Sequence, residues 1–103
     1  MTVQTMFDGL ANELLEEDPS IEHARMMNAF GLKANGKFFA MVVKDELVVK
    51  LPRERVDELV ATGKGRRFDP GHGRVMKEWA SLRPANRQVC AGYVEEARSF
   101  VEG

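Results

Sequence analysis

The stretch of sequence that decides the fold runs from Ala29 to Pro52 and reads AFGLKANGKFFAMVVKDELVVKLP. It holds two short apolar runs, and residues typical of a tight turn precede each of them. Asn35-Gly36 favours a two-residue hairpin turn because both residues tolerate the positive φ that such a turn requires. Lys44-Asp45 stands in the same position before the second run. The stretch therefore predicts antiparallel strands over Lys37–Val43 and Glu46–Leu51 that are joined by tight turns.

The residues on either side of these strands predict the remaining elements. Apolar residues spaced three and four apart from Val3 to Leu15 indicate a helix that ends before Pro19. A single first strand falls within residues 21–32, where no helical period is present. After the meander, the pattern predicts a helix from Pro52 to Gly63, strands over 66–68 and 74–79, and a helix from Pro84.

Taken in chain order, these elements predict one α+β domain over residues 1–103, in the order α-β-β-β-α-β-β-α. We expect a mainly antiparallel five-stranded sheet with its helices on one face. The length of 103 residues agrees with a single domain. A hydrophobic fraction of 44% and a charged fraction of 30% are typical of a globular chain.

Charge and cysteine content narrow the classes of function. The formal net charge of −1 gives the whole chain no electrostatic bias toward nucleic acid or an anionic membrane. A single cysteine, Cys90, excludes an internal disulfide and fits a reducing compartment. The N-terminus lacks the features of a signal peptide, and no apolar run reaches the ~20 residues that span a bilayer. We therefore expect a cytoplasmic protein that makes no membrane contact.

The order of short motifs around the meander resembles the N-terminal domain of the TfoX/Sxy family of bacterial proteins. The likeness covers roughly residues 21–101 and includes VMKEWASL at Val75–Leu82 and YVEEARSFV at Tyr93–Val101. Asn28-Ala29 stands where the family typically carries a Gly-Gly pair. Four further motifs lie at the family's spacings: Gly31-Leu32, Gly36-Lys37, Phe39-Ala40 and Asp45-Glu46-Leu47.

This resemblance implies the same order of helices and strands, and it supplies no catalytic residue. Full-length members that regulate competence carry a second, C-terminal domain. Because this chain ends at Gly103, we expect a stand-alone N-terminal domain, and the competence role is not carried over whole.

No set of residues has the spacing of a catalytic, cofactor-binding or metal site. His72 lies in the loop DPGHG with Asp69 three residues earlier, a pair suited to acid–base chemistry or metal binding. A metal site needs three or four ligands, and no second histidine or thiolate lies nearby in sequence. We expect a non-enzymatic protein without cofactor or metal, and an enzyme with a site near His72 is an alternative.

Positive charge is concentrated after the second helix, where two glycine-bearing turns bring basic residues onto neighbouring strand ends. Exposed cations of this kind keep edge strands from pairing with other chains. They also suit contacts with phosphate, although an affinity built on so few contacts is weak and falls steeply with salt. Nucleic-acid binding is therefore the first alternative, ahead of an enzyme, with a candidate patch of Lys64, Arg66, Arg67, His72 and Arg74.

The strand FFAMVV is apolar on both of its alternating sides. Strand alternation places Phe38, Ala40 and Val42 on one side of this strand and its other apolar residues on the opposite side. In the later strand, the same alternation places Val75, Lys77 and Trp79 on one side. Helices cover only one side of this sheet, so a partner chain is the simplest cover for the other. We predict a regulatory or adaptor domain that forms a homodimer or binds another protein. The candidate interface residues are Phe38, Phe39, Met41, Val43 and Trp79.

Overall fold

The computed structural model describes residues 2–26, 29–71, 73 and 75–103. Within those residues the chain forms three helices and six strands, in the order α1, β1 to β4, α2, β5, β6, α3. The α+β class is confirmed. The helices are α1 (Val3–Glu17), α2 (Arg53–Ala61) and α3 (Arg87–Glu102), and the strands are β1 (Ile21–Met26), β2 (Ala29–Ala34), β3 (Lys37–Val43), β4 (Glu46–Lys50), β5 (Gly65–Phe68) and β6 (Met76–Leu82).

The sheet has six strands because residues 21–34 form two strands where the sequence predicted one. β1 and β2 pair antiparallel, with Ile21 opposite Ala34 and Arg25 opposite Phe30. β1 lies at the edge of the sheet. Of the β1 residues whose burial is described, 21–25, only Ile21 is buried in the core. An edge strand with mostly exposed polar side chains carries little hydrophobic signal. The prediction of five strands was wrong for that reason.

All six strands pair antiparallel, in the spatial order β1-β2-β3-β4-β6-β5. The first four strands follow one another as a meander. α2 then carries the chain past the place of β6, so that β5 forms the far edge and β6 returns between β4 and β5. This arrangement makes β4, β6 and β5 neighbours, although β4 and β5 are separated by a helix in sequence.

The two predicted hairpin turns are confirmed. Asn35 and Gly36 have φ values of 54° and 75°, and Lys44 and Asp45 have φ values of 52° and 57°. Positive φ at both central residues is the geometry of the type I′ turn, whose twist matches that of the flanking strands. The Asp45 carboxylate also accepts a hydrogen bond of 3.0 Å from the backbone N–H of Gln4, which ties the start of α1 to this turn.

One face of the sheet carries all three helices, as predicted. Phe7 of α1, Leu59 of α2 and Val94 of α3 are buried in one apolar cluster with Leu47 and Val49 of β4. α1 ends at Glu17, directly before Asp18-Pro19, and α3 begins after Asn86, whose side chain accepts a 2.9 Å hydrogen bond from the Val89 N–H. This N-cap asparagine, rather than Pro84, sets the start of the last helix.

A β-bulge in β3 overturns the predicted alternation of its side chains. Leu32 pairs with Ala40 but Lys33 pairs with Phe38, so Phe39 is an extra residue on its strand. Phe39 and Ala40 both enter the helix-side cluster, while Phe38 and Met41 belong to the cluster on the other face. A bulge of one residue reverses which face the residues beyond it occupy.

A second shift in register changes the start of β6. Arg67 pairs with Ala80, but Phe68 pairs with Met76. Met76 consequently packs against the same cluster as Trp79, although simple alternation assigned them to opposite faces. β6 begins at Met76 and runs to Leu82, later at both ends than the predicted strand over 74–79.

Candidate binding site on the second face of the sheet

The face opposite the helices, called the second face here, has a small apolar cluster of its own. Met41, Val48, Phe68 and Trp79 are buried within the single chain, and Phe38, Val43 and Met76 pack against them. Much of the apolar surface that the sequence assigned to a partner is therefore already covered by this chain. Phe39 lies in the helix-side core with no exposed surface, so it contacts no partner in this fold. Phe38 and Val43 are only partly buried, and the dimer stays a prediction.

A cleft of about 730 Å³ lies beside this cluster. Its lining joins the β3–β4 turn, the first turn of α1, β5 and the loop that follows β5. The volume falls within the range of about 300–1,000 Å³ that is usual for ligand pockets. Apolar and charged groups share the lining, which includes Met41, Val43, Glu46, Arg66, Phe68 and Ser81.

A buried carboxylate organises the polar part of this cleft. Glu46 accepts a hydrogen bond of 2.5 Å from the Ser81 hydroxyl at Oε1. Arg66 Nη2 lies 3.1 Å from Oε1 and 3.0 Å from Oε2 of the same carboxylate. Arg83 approaches Oε2 with Nε at 3.1 Å and Nη2 at 3.0 Å. The hydrogen bond from Ser81 does most to lower the pKa of Glu46, Arg83 and Arg66 add to it, and together they outweigh the opposing effect of burial.

Strand register explains why these four side chains meet. Leu47 pairs with Leu82, so Glu46 at the start of β4 stands beside Arg83, the residue after β6. Arg66 pairs with Ser81 across the β5–β6 ladder. Since β6 separates β4 from β5, Glu46 reaches diagonally across it to the guanidinium of Arg66.

The two arginines differ from the carboxylate in their access to solvent. The side chains of Arg66 and Arg83 are 73% and 81% exposed, whereas that of Glu46 is only 9% exposed. Each guanidinium is thus held at one edge by a buried group while the rest faces water. Two positive charges against one negative charge leave this group, called the Glu46 cluster and made of Glu46, Arg66, Ser81 and Arg83, with a net charge of +1.

The family model for the TfoX N-terminal domain matches residues 13–100. The chain belongs to that family. The match spans most of the 103 residues, confirms the resemblance found in the sequence, and contains all four members of the Glu46 cluster. A search of curated proteins found no match.

In this TfoX N-terminal domain the basic residues picked from the sequence do not form one patch. Arg66 and Arg67 are adjacent on β5 and project to opposite faces, where Arg67 lies 2.5 Å from the Asp57 carboxylate of α2. Lys64 is exposed just before β5, and His72 and Arg74 lie outside the described residues. Arg83 was missed because only the pairing of distant strands brings it to Arg66. Alternation along β5 is the one signal that separates Arg66 from Arg67 in the sequence.

The remaining candidate groups of the TfoX N-terminal domain form no further site among the described residues. The Asp69 carboxylate accepts a 2.8 Å hydrogen bond from the Gly71 N–H, which makes it part of a local turn. Cys90 is fully buried on α3, and burial raises the pKa of its thiol. Within the ranges that the structure describes, no three histidine, cysteine or acidic side chains gather to hold a metal. No helix there has the length and apolar character needed to cross a membrane.

Proposed function

We propose that this TfoX N-terminal domain is a non-enzymatic regulatory domain of the cytoplasm that binds a protein partner at the cleft on its second face. The observation that carries this proposal is the Glu46 cluster beside an apolar lining. Protein interfaces combine a partly apolar centre with arginine side chains, and arginine is among the residues that contribute most to binding. The partly buried Phe38 and Val43 supply apolar surface on the same face.

The state of Glu46 favours binding over catalysis. A general base works best when its pKa lies near the operating pH and its oxygens are free to accept a proton. The pKa of Glu46 is lowered, and hydrogen bonds from Ser81, Arg66 and Arg83 already occupy both of its oxygens. The carboxylate therefore serves as a fixed acceptor for the side chains around it.

The distribution of charge favours a protein over a nucleic acid. Affinity for nucleic acid rests on several cations that neutralise phosphates at once. Here Asp57 pairs with Arg67 on the helix side, and Glu46 offsets one of the two arginines on the second face. The net charge of only +1 on these three charged groups, beside apolar surface, suits a protein contact better than a phosphate backbone.

A photo-crosslinking experiment tests the location of the partner. The crosslinking amino acid p-benzoyl-phenylalanine replaces Gln4, which is exposed and lines the cleft, or Val89, which is exposed on α3 outside it. Proteins captured in the producing cell are identified, purified and titrated against the wild-type domain by calorimetry. We expect a discrete protein at position 4 that is missing at position 89 and binds when purified.

Two results would contradict the proposal. One is capture of the same proteins by the crosslinker at position 4 and at position 89, which shows that the contacts are not specific to the cleft. The other is a captured complex that nuclease treatment disperses, which assigns the face to nucleic acid instead.

A further inference from the structure

Acidic and basic residues are unevenly divided between the three helices and the rest of the sequence. The three helices hold ten of the sixteen acidic residues but only four of the fifteen lysines and arginines. The strands and loops consequently carry an excess of positive charge. A field of this kind steers oppositely charged partners toward one side of a protein.

Lysines as well as arginines contribute to the positive charge of the second face. Lys33 Nζ lies 5.3 Å from the centre of the Phe38 ring, and Lys50 Nζ lies 5.8 Å from the centre of the Trp79 ring. Both rings belong to the second-face cluster. The apolar surface of this face is therefore bordered by cations.

The two arginines of the Glu46 cluster converge on one point. Arg66 Nη2 and Arg83 Nη2 each lie 3.0 Å from Glu46 Oε2, so these two nitrogens are no more than twice that distance apart. In the hydrogen bonds of the described residues, Arg66 uses only Nη2 and Arg83 uses Nε and Nη2. N–H donors of both guanidiniums therefore remain for a ligand, in the planar arrangement that matches a carboxylate or phosphate.

From these observations, and resting on the proposed function, we infer that the protein partner presents an acidic segment whose aspartate or glutamate carboxylate binds Arg66 and Arg83. The net charge of +1 on the Glu46 cluster matches a monoanion. A dianionic phosphate would be exposed to stronger repulsion from the nearby Glu46 carboxylate. The apolar lining at Met41, Val43 and Phe68 receives an apolar side chain next to the acidic one.

Glu46 acts in this site as a positioning residue. Its buried carboxylate fixes both guanidiniums by hydrogen bonds and does not contact the partner. Replacing it by glutamine removes a negative charge, so electrostatics alone predicts tighter binding of an acidic ligand. Loss of the fixed geometry predicts weaker binding, because the mobile arginines must then be ordered on association.

Short fluorescent peptides with both termini blocked test the inference. The probe alternates aspartate with leucine, and two control peptides replace aspartate by asparagine or lysine. Binding is measured by fluorescence anisotropy and mapped by NMR of the arginine Nε–H groups. We expect only the acidic peptide to bind, with Arg66→Ala and Arg83→Ala each weakening it about tenfold. Arg87→Ala removes an arginine paired with Glu13 on the helix side and should leave the affinity unchanged.

The outcomes separate this inference from the proposed function. Equal binding of the asparagine peptide, or binding that survives both arginine substitutions, overturns the acidic segment while a captured protein partner still stands. Absence of acidic-peptide binding at millimolar concentration also overturns the acidic segment without affecting the proposed protein partner. Displacement of the peptide by inorganic phosphate or a short DNA duplex at lower concentration than by acetate reassigns the site to phosphate. Tighter binding by Glu46→Gln overturns the positioning role.

Discussion

Replacing Glu46 by glutamine tests the Glu46 cluster through the stability of the fold. The substitution keeps the size of the side chain and removes the charge that Ser81, Arg66 and Arg83 surround. Glutamine also offers a single acceptor oxygen and turns an NH₂ group toward donors. Both changes weaken the hydrogen bonds at a buried position.

The expected loss follows from the exposure of each partner. A hydrogen bond to a charged group contributes about 1.5–3 kcal/mol and a neutral one about 0.5–1.5 kcal/mol, so the buried Ser81 contact loses about 1–1.5 kcal/mol. Arg66 and Arg83 are largely exposed, and an exposed ion pair is worth only about 0–1 kcal/mol. We expect Glu46→Gln to lower the free energy of unfolding by about 1–3 kcal/mol.

Urea unfolding followed by Trp79 fluorescence measures this loss, because Trp79 is the single tryptophan and is buried on the second face. With an m-value of about 1–1.5 kcal/mol/M, a loss in the middle of that range lowers the midpoint by about 1–2 M. Glu13→Gln is the matched control. Its carboxylate is 56% exposed and pairs with Arg87, so we expect a change of less than about 1 kcal/mol.

The pH dependence identifies the charge as the cause. The pKa of Glu46 is lower in the folded chain than in the unfolded one, so the ionised carboxylate stabilises the fold. Its contribution is complete above the unfolded pKa of about 4.3 and is lost as the pH falls through the folded pKa. The stability difference between wild type and Glu46→Gln should be constant near neutral pH and shrink below about pH 4.5. An equal difference at neutral and acidic pH would refute this reasoning.

Further predictions concern the turns, the thiol and association. Gly36→Val should lower the free energy of unfolding by about 1–3 kcal/mol, because a β-branched residue resists a φ of 75°. Gly92→Ala should raise it by about 0.5–1 kcal/mol, since alanine favours a helix and a Cβ at position 92 meets no described atom within 4 Å. Thermal unfolding compares the two variants. Cys90 should react with a thiol reagent only as fast as the chain unfolds, and rapid labelling of the native state would contradict its burial. Sedimentation at micromolar concentration tests the predicted dimer, and Val43→Glu should dissociate a dimer that uses the partly buried Phe38 and Val43.

Local sequence determined the turns, most of the elements and the family. Asn35-Gly36 and Lys44-Asp45 specify their turns because positive φ is a property of a few adjacent residues. Helical periodicity located α1, and Pro19 marked its end. These features depend on backbone preferences and side-chain spacing within one segment, which a single sequence contains in full.

Tertiary packing alone decided the registers. The bulge at Phe39 places two consecutive residues in the helix-side core, a choice made by the fit of β3 against β2 and the helices together. β1 became a separate strand by pairing with β2, since its own residues are mostly polar. No local pattern records either outcome, because the free energy that selects a register is summed over the whole core.

Tertiary packing also decided the candidate site. The sequence marked Arg66 by its neighbourhood of positive charge and grouped it with Arg67, which the strand turns to the opposite face. No local pattern in the sequence singles out Ser81 or Arg83. Only the return of β6 between β4 and β5 brings these side chains to Glu46. Short-range preferences fix where strands begin, and long-range pairing fixes which side chains meet across them.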